Sequence, residues 1–135
     1  MSYALSAALQ EAVYASLSQD TTLSELVGEA IYDAAPPGRL PALYVTLGPE
    51  TVRDASDQIH AGARHDLRVS VVSDEAGFLG AKTVAARISD VLHRAPLTLT
   101  RGTLVGLWFW RADARRTNDG SRRIDLIFRA RVDDT

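Results

Sequence analysis

Three prolines within six residues, Pro36, Pro37 and Pro41, fix where this chain must break. Proline lacks an amide hydrogen and has a locked φ. The run Ala35-Pro36-Pro37-Gly38-Arg39-Leu40-Pro41 therefore cannot lie inside a helix or a central strand, and it reads as a turn. Before it, residues 31–34 read as a short strand. After it, Leu43, Val45 and Leu47 alternate with Tyr44 and Thr46, the period of a half-buried strand. Gly48-Pro49 is expected to end that strand. Residues 49–63 are polar, with Arg53, Asp54, Asp57 and His60 among them, and read as a long exposed loop of the kind that carries function.

On either side the periodicity is clearer. Leu5, Leu9, Val13 and Leu17 recur every fourth residue, so residues 3–18 read as an amphipathic helix with Ser2 as its N-cap. Leu23, Leu26 and Val27 make a short helical turn closed by Gly28. Residues 65–73 alternate as a strand. Residues 77–93 carry Leu79, Val84, Ile88 and Leu92 at helical spacing, with Asp74 and Glu75 at the positive end, His93 and Arg94 at the negative end, and Pro96 as the stop. The last forty residues read as strands. Residues 97–100 form a short one, 104–110 a second, and 124–132 a third after the hairpin signal Thr117-Asn118-Asp119-Gly120-Ser121. The expected fold is α+β, in the order α-β-β-β-α-β-β, a single domain over 1–135. Two main helices pack on one face of an antiparallel sheet.

Composition closes several routes. The chain has no cysteine, so it has neither disulfides nor thiolate metal sites. No apolar run approaches the roughly 18 residues of a membrane span, and the N-terminus lacks a basic secretory leader, so a protein assembled in the cytoplasm is expected. The net charge of −2 is too small to suggest that the whole chain binds nucleic acid. Its distribution is uneven. Residues 1–60 carry two arginines against eight acids, and residues 111–131 carry seven arginines against three aspartates. Two readings stay open: solvated faces, or head-to-tail association of an acidic patch with a basic one.

No catalytic, cofactor or metal site is expected. His60 and His65 with Asp57 and Asp66 could be imagined as a general-base or metal site, but no P-loop, nucleophile elbow or zinc-protease motif occurs. Arg111, Arg115, Arg116, Arg122 and Arg123 flank the hairpin tip. They suit a subunit contact or a phosphate contact, although no aromatic series interleaves with them as in single-strand binders. Trp108 and Trp110 share the second face of their strand. Either the N-terminal helix covers them or they form a protein–protein contact, and we read the contact because aromatics are enriched at interface cores.

The stretch from Ile31-Tyr32-Asp33 through the proline turn to Leu43-Tyr44-Val45-Thr46-Leu47-Gly48 resembles a known family. So do the polar segment, the strand from His65 to Ser73, and the helix with Ala85-Ala86-Arg87-Ile88 running to Leu92-His93. Together they are similar to the tail terminator, or tail-completion, proteins of long-tailed phages, prophages and alphaproteobacterial gene transfer agents. The resemblance runs nearly the whole chain. It implies a structural, non-enzymatic protein of the particle tail without a cofactor. Such a protein forms a homo-oligomeric ring, expected to be hexameric, that caps the head-proximal end of the tail tube and stops its growth. The implied partners are the major tail tube protein and the head-side connector, with DNA passing through the lumen unbound and no membrane involved. A head–tail connector component is the alternative, and a small nucleic-acid-binding module a further one. The interface candidates are Arg53, Asp54, Asp57, His60, Trp108, Trp110, Arg111, Arg115, Arg116, Arg122 and Arg123.

Overall fold

The apolar stripe of the first helix forms where the spacing predicts. α1 spans Ser6–Ser18, and Leu9, Val13 and Leu17 are buried along one face with Leu5 just ahead of them. Ser2 lies outside the residues described by this computed structural model, which are 3–34, 36–57 and 61–134. Leu5 occupies the N-cap position instead, without a side-chain cap. The short helical turn is a helix, α2 (Thr21–Val27), because Asp20 caps it by accepting the Leu23 amide at 3.0 Å. The same carboxylate takes a two-pronged bond from Arg87, at 2.9 and 2.7 Å. That arginine lies on α3 (Leu79–Leu92), so one aspartate both starts α2 and ties it to α3. The guanidinium beside it, with the Leu23 amide, holds the Asp20 carboxyl below its usual range.

Five strands form one sheet: β1 (Ile31–Tyr32), β2 (Leu43–Asp54), β3 (Gly62–Ser73), β4 (Thr103–Arg116) and β5 (Arg122–Asp133). Their spatial order is β1-β2-β3-β5-β4. β1 runs parallel to β2, and the other three pairings are antiparallel, so the sheet is mixed rather than wholly antiparallel. All three helices pack on one face. The core there joins Leu9, Leu17, Val69, Ile88, Leu107 and Phe128, all at most 1% exposed.

Five expectations are corrected. β2 does not stop at Gly48-Pro49. It runs on to Asp54, with a register shift between Leu47 and Glu50 that absorbs both residues, and Gly48 sits at φ 85°, where a side chain would be strained. The expected loop 49–63 therefore shrinks to a connection between Asp54 and Gly62. Residues 97–100 form no strand; Leu97 and Leu99 instead pack against the core from an irregular segment, which accounts for their apolar spacing. β4 continues past Trp110 to Arg116, while Leu79, placed on the apolar face of its helix by periodicity, is 81% exposed.

Replacing Asp20 removes a cap and a cross-link together. Asp20→Ala is expected to cost about 1–2 kcal/mol, read as a lower midpoint in urea unfolding. An unchanged midpoint would mean that α2 is held by packing alone.

Candidate assembly surfaces

The sheet has a second face, and no helix of the described residues lies on it. Strand alternation sends Arg123, Asp125, Ile127, Arg129 and Arg131 of β5 to that side, opposite Arg64, Asp66, Arg68, Ser70 and Val72 of β3. Charges on a bare sheet face are expected to be solvated, yet Asp125 is buried and Ser70 fully so. Their neighbours cover them. Ser70 donates to Asp125 at 2.6 Å, and Arg115 and Arg123 reach the same carboxylate at 2.5 and 2.9 Å. Arg123 also donates to the Ser70 hydroxyl at 3.1 Å. Burial pushes the Asp125 carboxyl up, but the bonds from Ser70, Arg115 and Arg123 outweigh it and hold the group below its usual range.

Further along the same face Arg129 is clamped. Its guanidinium donates to both Asp66 oxygens, at 2.9 and 3.4 Å, and lies 3.9 Å from the centre of the Trp110 ring. Trp108 stands opposite Arg129 in the register, and its ring lies across Gly106, where a β-carbon would collide with the indole. The tryptophans remain 40% and 49% exposed. The N-terminal helix does not cover them, because it packs on the other face. Exposed tryptophans around a pre-ordered arginine are the composition of interface hot spots, where little side-chain entropy remains to be lost on docking.

At the hairpin tip the turn is tied by Asp119, which accepts from the Thr117 hydroxyl at 2.5 Å, from the Ser121 amide at 3.0 Å and from the Ser121 hydroxyl at 2.7 Å. These bonds, the Thr117 one foremost, lower its carboxyl to about 2. The tip is therefore a stiff projection at neutral pH. Arg122 anchors it back onto the body by donating to the Ala76 carbonyl at 2.6 Å.

The sequence model of the family described as tail completion protein gp17 matches residues 11–133. The chain belongs to that family. A search of curated protein sequences found no match. Among solved structures, a chain of the "Virion of native gene transfer agent (GTA) particle" is 58% identical, with a TM-score of 0.93 over 97% of this chain and 98% of that one. This tail-completion protein is thus a structural component of tail assembly.

The predicted interface residues fall into three separate places on the tail-completion fold. Arg53 and Asp54 end β2, with Asp57 just beyond, and all three are exposed. His60 lies outside the described residues. Arg115, Arg116, Arg122 and Arg123 flank the hairpin at the opposite end of the sheet, roughly 35 Å away for a twelve-residue strand. Trp108, Trp110 and Arg111 lie between them on β4. Arg115, Arg122 and Arg123 are engaged within the chain, whereas Arg116 has no ionic partner among the described residues. His65 and Asp66 of the imagined histidine site are not brought together: His65 is fully buried against Glu50 at 3.2 Å, while Asp66 points to the other face and binds Arg129. Asp66 and Arg129 were missed as site residues. Their signal was present in the charged alternate positions of β5, but their pairing needed the β3–β5 register.

Asp125→Ala is expected to destabilise by roughly 1–3 kcal/mol at pH 7, because it leaves Ser70 buried with a weakened partner set while Arg115 and Arg123 can turn to water. A carboxyl whose pKa folding lowers stabilises the fold above its unfolded value of about 3.9 and loses that contribution as pH falls through the lower folded value. Unfolding curves at pH 7 and pH 3 should therefore show the gap between parent and variant narrowing in acid. A gap independent of pH would contradict the ionic account.

Proposed function

We propose that this protein forms a closed ring, a hexamer, at the head-proximal end of the tail tube. There it stops tube growth and joins the tail to the head-side connector, while DNA passes through the lumen without specific binding. The observation that carries this reading is the match along nearly the whole chain, at 58% identity, to a chain of a gene transfer agent virion, together with the tail-completion family. The ring would be assembled in the bacterial cytoplasm and end in the particle.

Physical features support it. A closed ring joins two different patches on each neighbour, and the chain is acidic in its first half and arginine-rich in its last strands. No helix among the described residues is long and apolar enough to cross a membrane. The bare sheet face, with Trp108, Trp110 and Arg111, offers a surface for the tube protein or the connector. Asp54 and Asp57, at the end of β2, and the hairpin carrying Arg116 and Arg122 lie at opposite ends of the sheet. A ring placed between tube and connector needs two such ends.

The test is electron microscopy of tail tube subunits polymerised with and without this protein. The expected result is shorter tubes, each with a ring on one end. Tubes of unchanged length with bare ends would contradict capping. Rings that bind only the connector would favour a connector component instead.

A further inference from the structure

The two edges of the sheet are built differently. At one edge β4 is fourteen residues long, and its outer side is partly occupied by its own chain. The Arg94 amide donates to the Leu107 carbonyl at 2.7 Å, and the Phe109 amide donates to His93 Nδ1 at 3.0 Å. Beyond Phe109, from Arg111 to Arg116, no backbone partner on that side exists among the described residues. An open strand edge is a template for pairing unless something covers it. The helical layer also stops short here. A shallow apolar groove of about 330 Å³ lies between α3 and β4, lined by Lys82, Ala85, Ala86, Phe109, Ala112 and Ala114. Phe109 is 38% exposed in it.

At the other edge β1 is only two residues long, and α1 flanks it. The outward side of α1 forms a broad hollow of about 680 Å³ with Tyr3, Ala7, Gln10, Glu11, Tyr14 and Asp33 on its walls. Gln10 donates to Asp33 at 2.5 Å and fixes that wall. Glu11 and nearby Glu29 have no ionic partner among the described residues. The hollow is concave, acidic and rich in tyrosine, whereas the β4 edge is a projecting ridge that carries Arg111 and Arg116.

The two edges also match in level. Residues paired across the sheet run Ile31, Val45, Val71, Ile124, Ala114 in one row and Tyr32, Thr46, Ser70, Asp125, Asp113 in the next. The β1 end of the acidic flank and the open segment of β4 therefore sit at the same height on opposite sides of the molecule; Ala112, Ala114 and Arg116 of that segment lie on the helix-bearing side, and Arg111, Asp113 and Arg115 on the bare side. A copy placed alongside, perpendicular to the strands, brings one against the other and lays its α1 over the uncovered groove.

We propose that the acidic α1 flank of one copy (Tyr3, Glu11, Tyr14, Asp33) seats the open β4 segment Arg111–Arg116 of a second copy of this chain, joining copies head to tail. The inference rests on the ring reading and names its contact. The patches are different and lie on opposite edges, so the contact is heterologous, as ring closure requires. Tyrosine faces suit arginine, and Glu11 and Arg116, neither with an ionic partner among the described residues, supply opposite charges, while Arg111 is already paired with Asp113 at 3.9 Å.

The absence of cysteine gives a clean test. Ala112→Cys is combined in turn with Ala7→Cys, Glu11→Cys and Tyr14→Cys, which step along the α1 flank, and the full chain is oxidised under assembly conditions. The expected result is a ladder of dimer, trimer and higher species for at least one pair, and no ladder for any single variant. A dimer from Ala112→Cys alone would show β4 edges meeting each other and would overturn the proposal. If no pair gives a ladder while the parent protein still forms rings, this contact is wrong and the ring reading stands. If the parent forms no ring, alone or with tubes, the ring reading itself fails. As a second measurement, Glu11→Arg and Arg116→Glu should each weaken association, on the order of tenfold, with partial recovery when both are present. Additive losses without recovery would count against the pairing.

Discussion

β5 is paired along its whole length, to β3 on one side and β4 on the other. Its alternation is therefore imposed on β3 throughout and on β4 between two register shifts. Ile124, Leu126, Phe128 and Ala130 face the helices and centre the core. Arg123, Asp125, Arg129 and Arg131 face away and must satisfy their charges within the sheet. They do so with Asp66, Ser70 and Asp133, at distances between 2.6 and 3.4 Å. A single strand thus fixes both the core and the charged layer behind it, and neither can slip without the other.

That division shapes what the molecule can do with its surfaces. The helix-bearing face spends most of its apolar area internally, leaving the flank of α1, the groove beside β4 and single residues such as Leu79 exposed. The bare face keeps two tryptophans and a clamped arginine available, already ordered. A small protein that presents pre-formed surfaces in several directions is suited to sit between other proteins. The family assignment and the match to a particle chain agree with that physical character.

Much of this was legible in the sequence where local rules and tertiary packing agree. The Leu5, Leu9, Val13, Leu17 stripe reads directly because every member meets the core. The hairpin at Thr117–Ser121 reads directly because its turn chemistry is local. Legibility failed where pairing overrides local signals. Gly48-Pro49 looks like a stop, yet β3 holds β2 in register on both sides of it and turns the pair into a bulge. Residues 111–116 lack apolar anchors, yet edge pairing to β5 keeps them extended. Val105 and Trp110 fall at the register shifts of β4, so simple alternation misplaces Val105, which is exposed. The clamp of Arg129 between Asp66 and Trp110 depends on three strands, and no local pattern encodes it.

A reconstruction by cryo-electron microscopy of particles carrying this chain would show its assembled state. The expected result is one closed ring of this protein where the tail meets the head, with Arg111–Arg116 of each copy against the α1 flank of the next. The chain found as single copies, or as a ring elsewhere along the tail, would contradict it.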